Sequence, residues 1–211
     1  MARGHGPGLT AMWVVKLGGS LARDAQLPQW LAMLAEAGAG RVAIVAGGAA
    51  FADAVRHAQA HWAFNDLAAH NMAVLAMGQT ALMLQALEPR LQLATQDEQI
   101  RRALHAGRTA VWMPLTALRD THDAFTSWEV SGDSLALWLA CRLHAERLVV
   151  VKSCEVDPRL GIAELGASGV LDARFAEWAG QADFPIDVVP RDSIVRVREA
   201  LLGCVAGNVL S

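Results

Sequence analysis

Trp13-Val14-Val15-Lys16-Leu17-Gly18-Gly19-Ser20 is an apolar, largely β-branched run that stops on two glycines. A run of this kind reads as a buried strand, and the glycine pair predicts a tight turn after it. Arg41-Val42-Ala43-Ile44-Val45-Ala46-Gly47-Gly48 repeats the arrangement. Between the two, Leu27, Trp30, Leu31 and Leu34 recur at helical spacing within residues 24–37, and Gly38 and Gly40 stop that helix. Strand, glycine turn, helix, strand, glycine turn is the beginning of a βαβ pattern.

The alternation continues along the chain. Helices are predicted over residues 50–63, 66–87 and 97–105, the second ending before Pro89. Residues 109–113 read as a third strand ending at Pro114, and residues 120–128 as a polar loop. A helix is predicted over 131–145, opened by a capping Ser131 or Asp133. Leu148-Val149-Val150-Val151-Lys152 is the most apolar strand. Residues 158–169 read as irregular, 186–189 as a last short strand and 192–205 as a closing helix. The strands are continuous apolar runs, so both of their faces are covered. The expected fold is therefore α/β: a three-layer α/β/α sandwich with a mostly parallel central sheet.

Composition narrows the function classes. The chain has 211 residues, 54% of them apolar, and a formal net charge of −3. That balance gives no nucleic-acid footprint, and the Arg101-Arg102 pair reads as a solvated helix face. No uninterrupted apolar stretch of about 20 residues is present, so no membrane span is expected. Residues 1–10 read as a disordered leader and 11–211 as a single domain. Cys141, Cys154 and Cys204 are odd in number and widely spaced, which fits buried thiols in a reducing cytoplasm. Cys141, inside a predicted helix, is expected in the core. His57 and His61 have helical metal-ligand spacing but no third ligand, and read as surface histidines, so no metal site is assigned.

In a parallel α/β sheet, ligands bind at the carboxyl ends of the strands. Three such ends are expected to converge, carrying Lys16 to Ser20, Gly47-Gly48 and Lys152-Ser153. Glycine there lets backbone N–H groups approach a ligand, and such groups at a helix start favour an anion. Lys16 and Lys152 are the only lysines among 18 basic residues. Arginine and lysine are not interchangeable, so each lysine marks a place where a compact ammonium is wanted. Asp133 opens a helix, where it either caps the N-terminus or orients lysines from neighbouring strands. Trp128, in the loop before it, is placed near a substrate. Neither the G-x-x-x-x-G-K-[ST] nor the G-x-G-x-x-G pattern is present.

Together these segments resemble the amino acid kinase superfamily, which includes acetylglutamate, aspartate, uridylate and isopentenyl phosphate kinases. The resemblance rests on Lys16 to Ser20, on Gly47-Gly48 with Ala49 where the family carries a third glycine, and on Asp133 at a helix start. Ser127 to Leu135, and Val45 to Asp53, look most like the small aminomethylfuran-methanol phosphate kinase-like proteins of methanofuran synthesis. The resemblance implies a carbamate kinase-like fold, ATP with Mg²⁺, assembly as a homo-oligomer and a small-molecule alcohol, carboxylate or phosphate acceptor, with an aminomethylfuran alcohol or its phosphate as the specific expectation. It implies catalytic roles for Lys16, Asp133 and Lys152. Gly18, Gly19, Ser20, Ser153 and Asp157 would hold the nucleotide, and Gly47, Gly48, Ala49 and Trp128 the acceptor. The family's Thr-Asp-x-Asp-Gly loop reads Lys152-Ser153-Cys154-Glu155-Val156, and no lysine follows Lys152. Lys152 is therefore expected to supply the second catalytic charge. A uridylate-like kinase and a non-catalytic nucleotide- or phosphate-binding protein are the alternatives.

Overall fold

The computed structural model describes residues 12–204; the predicted leader lies outside them. Six strands form one wholly parallel sheet: β1 (Trp13–Leu17), β2 (Val42–Ala46), β3 (Gln92–Ala94), β4 (Ala110–Trp112), β5 (Arg147–Lys152) and β6 (Ile186–Pro190), in the order β3-β4-β2-β1-β5-β6. Among the described residues, eight α-helices connect and cover them: α1 (Leu27–Ala37), α2 (Ala49–Trp62), α3 (Asp66–Leu87), α4 (Asp97–His105), α5 (Gly132–Leu143), α6 (Ile162–Ala167), α7 (Ala173–Ala179) and α8 (Ile194–Leu201).

Alternation along each strand divides the core into two layers, because successive side chains leave opposite faces. Val14, Val45, Trp112 and Val150 pack on one face beneath α5, with Leu137, Leu139 and Phe175. Val15, Ile44, Val111 and Val149 pack on the other beneath α1 and α8, with Trp30, Leu31 and Val197. This is the expected α/β/α sandwich. α3 wraps the sheet, giving Val74 and Met77 to the first layer and Ala81 and Leu84 to the second. Its length and composition would suit a membrane span, but half of that stretch is buried, as in a core helix.

Some local expectations need correction. The segment read as irregular contains α6, and α7 follows it. A short edge strand, β3, precedes α4. The turn after β1 winds as a 3₁₀ helix over Gly19–Arg23 before α1 starts. Cys141 is exposed, as are the other two cysteines, and none is in a disulfide. The outward side of α5 is polar enough to leave Cys141 and Arg142 in solvent while Leu139, Ala140 and Leu143 fill the core.

The two glycine turns lie against each other, and this contact sets the spacing of the site. A Cβ at position 47 would fall 2.5 Å from the Gly19 nitrogen and 2.7 Å from its Cα. Backbone cannot yield that much, so only glycine fits at 47. The N–H of Gly18 donates to the Val151 carbonyl at 3.1 Å, and that of Gly47 to the Leu17 carbonyl at 3.0 Å. Those bonds extend the sheet pairing into the turns and hold the three strand ends together.

Candidate active site

Sheet register brings the two lysines together. Lys16 in β1 is paired with Val150 in β5, and Lys152 lies two residues beyond Val150. A two-residue step returns the side chain to the same face. Both ammonium groups therefore leave the sheet on the α5 side, at its carboxyl edge. α5 begins there. Ser131 is its N-cap, its hydroxyl accepting from the Asp133 N–H at 3.2 Å. With the cap supplied by Ser131, the Asp133 side chain turns inward. One carboxylate oxygen is 2.6 Å from Lys16 Nζ, and the other accepts from Lys152 Nζ at 2.5 Å. Of the two roles left open for Asp133, the lysine contacts are the ones its side chain makes.

This Lys–Asp–Lys cluster is almost dry: Lys16 is 5% exposed and Asp133 2%. Burial acts to raise the Asp133 pKa, but the Lys16 and Lys152 charges outweigh it, and the net shift is downward. Asp133 thus stays an anion. Burial, reinforced by repulsion from Lys16, depresses the Lys152 pKa despite Asp133. The cluster carries one net positive charge when all three groups are ionised, at the end of a water-poor sheet where a charge interacts strongly.

Two regions flank the cluster. On the β2 side is a cavity of about 180 Å³, lined in part by Lys16, Gly47, Gly48, Arg56, Trp128 and Gly132. Trp128 thus faces the cavity. Its indole N–H donates to the Gln59 side-chain oxygen at 2.5 Å, and the Arg56 guanidinium stacks 3.9 Å above its ring. Sequence reasoning missed Gln59; its position on α2, three residues after Arg56, was the available signal. No carboxylate pairs with Arg56 among the described residues. On the β5 side, Ser20 and Ser153 meet hydroxyl to hydroxyl at 2.6 Å, bridging the ends of β1 and β5. Gly18 sits beside them: a Cβ there would be 3.8 Å from Lys16 Nζ and 3.9 Å from Ser20 Oγ. Asp157 is not in this group. It lies in the loop after β5, held by three bonds from Arg159, two from the guanidinium and one from the backbone N–H, which lower its pKa. Among the described residues no cluster of three His, Cys, Asp or Glu side chains could hold a metal ion.

Ala49, where a third glycine is expected, has φ of +50°. The left-handed conformation costs an L-residue about 1–2 kcal/mol, while glycine loses about 0.5–1 kcal/mol more chain entropy on folding. Ala49→Gly is accordingly expected to stabilise the fold by about 0.5–1 kcal/mol, read from urea unfolding midpoints. Equal or lower stability would mean that the turn does not strain position 49.

Fold and site define a parallel α/β/α sandwich with a cationic, glycine-edged centre at the carboxyl ends of its strands. The profile of the amino acid kinase family matches residues 11–156, and the chain belongs to that family. It is 26% identical over 140 residues to [5-(aminomethyl)furan-3-yl]methyl phosphate kinase of Methanocaldococcus jannaschii, an alignment covering 66% of this chain and 64% of that protein. The match thus spans a little under two thirds of the relative. Among solved structures, uridylate kinase from Archaeoglobus fulgidus superposes with a TM-score of 0.68 at 15% identity, over 91% of this chain and 96% of that one. Carbamate kinase from Giardia lamblia gives 0.61 at 10% identity, over 95% and 98%. These likenesses carry the amino acid kinase fold.

Proposed function

We propose that the protein transfers the γ-phosphoryl group of Mg·ATP to an anionic oxygen of a small molecule, with a phosphate monoester as the preferred acceptor. The observation that carries the choice of acceptor is a fixed pair of cations beside a cavity that also holds the Arg56 guanidinium, a setting that suits an acceptor that is itself an anion. Asp133 is held by both lysines. An alcohol would have to give up a proton on attack. A phosphate monoester, whose second pKa is about 6, is already an anion at neutral pH.

In the reaction an acceptor oxygen forms a bond to Pγ, the bond from Pγ to the β–γ bridging oxygen breaks, and ADP leaves with that electron pair. Phosphoryl transfer asks a protein mainly for position and charge. Lys16 and Lys152 would balance the charge on the transferring group, with Asp133 fixing both. Gly18 and Gly47 spend their N–H groups on the sheet. The phosphate-facing amides would therefore be those of Gly19 and Ser20, at a helical start where N–H groups have no intrahelical acceptor. Ser20 and Ser153 would take nucleotide phosphates, and Asp157 would meet the nucleotide from the outer loop. Gly47, Gly48 and Ala49 would shape the acceptor side. Mg²⁺ arrives with ATP and neutralises phosphate charge.

The relative's name makes a furan-methanol phosphate of the methanofuran type the first acceptor to try, and UMP the second. Arg56, stacked and without a carboxylate partner, is suited to grip an acceptor phosphate. Arg56→Ala is expected to raise the acceptor KM about tenfold or more while leaving the affinity for Mg·ATP unchanged. An unaltered acceptor KM would remove Arg56 from the acceptor site. Calorimetric titration with Mg·ATP tests the nucleotide half: binding should be micromolar and weakened by Lys16→Ala. A folded protein that binds Mg·ATP but turns over no acceptor would be a nucleotide-binding protein on this fold.

A cytoplasmic location fits three cysteines outside any disulfide. A homo-oligomer is part of the same proposal, and Met72, Leu75 and Leu82, exposed on α3, are apolar surface that assembly could cover.

A further inference from the structure

Asp172 has no role in the site as described so far, yet its carboxylate joins the starts of α5 and α7. It is the N-cap of α7, accepting from the Phe175 N–H at 2.7 Å. It also reaches across to the start of α5. There it accepts from the Ser131 N–H at 3.0 Å and hydroxyl at 2.6 Å, and from the Ser134 N–H at 3.1 Å and hydroxyl at 2.5 Å. Five donors from two helix starts thus converge on one carboxylate. Satisfying that number of donors, two of them hydroxyls that must point inward, is a task for an ionised acid.

The residue between those two serines decides the consequence. Ser131 and Ser134 bracket Asp133, and the Ser131 hydroxyl, while donating to Asp172, accepts from the Asp133 N–H. The backbone from which Asp133 projects is therefore fixed from outside its own helix. We infer that Asp172 is a positioning residue for the phosphoryl-transfer centre: through Ser131 and Ser134 it sets the angle at which Asp133 holds Lys16 and Lys152, and its charge adds to the negative field at Lys152. A cap serving α7 alone would need only the Phe175 bond. Lys152 is faced by Asp133 from α5, Lys16 from β1 and Asp172 from the start of α7, and Asp172 favours its charged form. The significance for catalysis rests on the phosphotransferase reading; the effect on Lys152 does not.

The chain makes the second part directly measurable, because it contains only two lysines. Protein labelled with ¹⁵N-lysine gives two side-chain signals, assigned with Lys16→Ala, whose titrations can be followed by NMR without any substrate. The key variant is Asp172→Asn, since asparagine caps helices about as well as aspartate but carries no charge. With circular dichroism confirming the fold, the Lys152 midpoint is expected to fall relative to wild type. With an active acceptor, the alkaline limb of kcat should move down by the same amount, and Asp172→Glu should restore part of it. A purely structural cap predicts a lower melting temperature with the Lys152 titration unmoved, and that result would overturn the inference. Should Asp172→Asn fail to fold, Ser131→Ala/Ser134→Ala keeps the charge and removes the hydroxyl bonds. Loss of at least tenfold in kcat, or a shifted Asp133–lysine titration, then supports positioning, and wild-type values of both contradict it. A shifted Lys152 titration in a protein with no turnover would sink the kinase reading and leave the positioning effect standing.

Discussion

Lys152→Met should abolish turnover, by on the order of 10³-fold or more in kcat, while the protein remains folded. Methionine keeps most of the stem volume and removes only the ammonium. Asp133 retains its pair with Lys16 at 2.6 Å, so the buried carboxylate is not stranded. What would be lost, on the proposed function, is one of the two charges that balance the transferring phosphoryl group. The expectation is sharper because no lysine follows position 152 in the chain to replace it. The same reasoning fixes a pH dependence. Burial and the Lys16 charge hold the Lys152 pKa below the ordinary 10.5. If the ammonium is the working form, kcat falls as pH rises through that depressed value, on an alkaline limb below 10.5. Steady-state rates across pH in wild type and Lys152→Met check both statements; near-normal activity in the variant would remove Lys152 from the reaction.

Asp133→Ala should be the most destabilising single change at the site. It leaves two ammonium groups in a nearly dry setting with their shared counter-ion gone. Breaking a buried pair by removing one partner costs about 3–5 kcal/mol. A domain has only about 5–15 kcal/mol to lose. Asp133→Asn separates charge from shape. The folded-state pKa of Asp133 lies below its ordinary 3.8, so its ionisation contributes stability that is fully present above that value. The contribution disappears as pH falls through the depressed folded value. The stability gap between wild type and Asp133→Asn, measured by urea unfolding, should thus be constant near neutrality and close on acidification below 3.8. A gap that persists unchanged into acid would mean that the ion pairs are not what stabilises this region.

Much of this site was legible in the sequence because it rests on local rules. A β-branched run ending in two glycines, twice, fixes two strand ends, and Lys16 and Lys152 stand out as the only lysines in an arginine-rich chain. What register added was the common face of the two lysines, which follows from pairing β1 with β5 and cannot be seen from either strand alone. Asp133 illustrates the limit: at a helix start a carboxylate and a serine compete for the cap, and only tertiary packing decides that Ser131 takes it. Asp172 was missed for a similar reason. An aspartate before Ala173-Arg174-Phe175 is a legible helix start, but its bonds to Ser131 and Ser134 belong to the packing of α7 on α5. β3 escaped notice because Gln92-Leu93-Ala94 is too short and too polar to carry a strand pattern. Its place beside β4 comes from the sheet.

The most direct test of the Lys16–Asp133–Lys152 centre is ³¹P NMR of Mg·ATP with the folded protein and three acceptors in turn: [5-(aminomethyl)furan-3-yl]methyl phosphate, UMP and a simple carboxylate. The γ-phosphate signal should be replaced by those of ADP and a new phosphoanhydride with one of the two phosphate acceptors, and Lys16→Ala should suppress the change. An intact γ-phosphate with every acceptor, in protein that binds Mg·ATP, would contradict phosphoryl transfer at this centre.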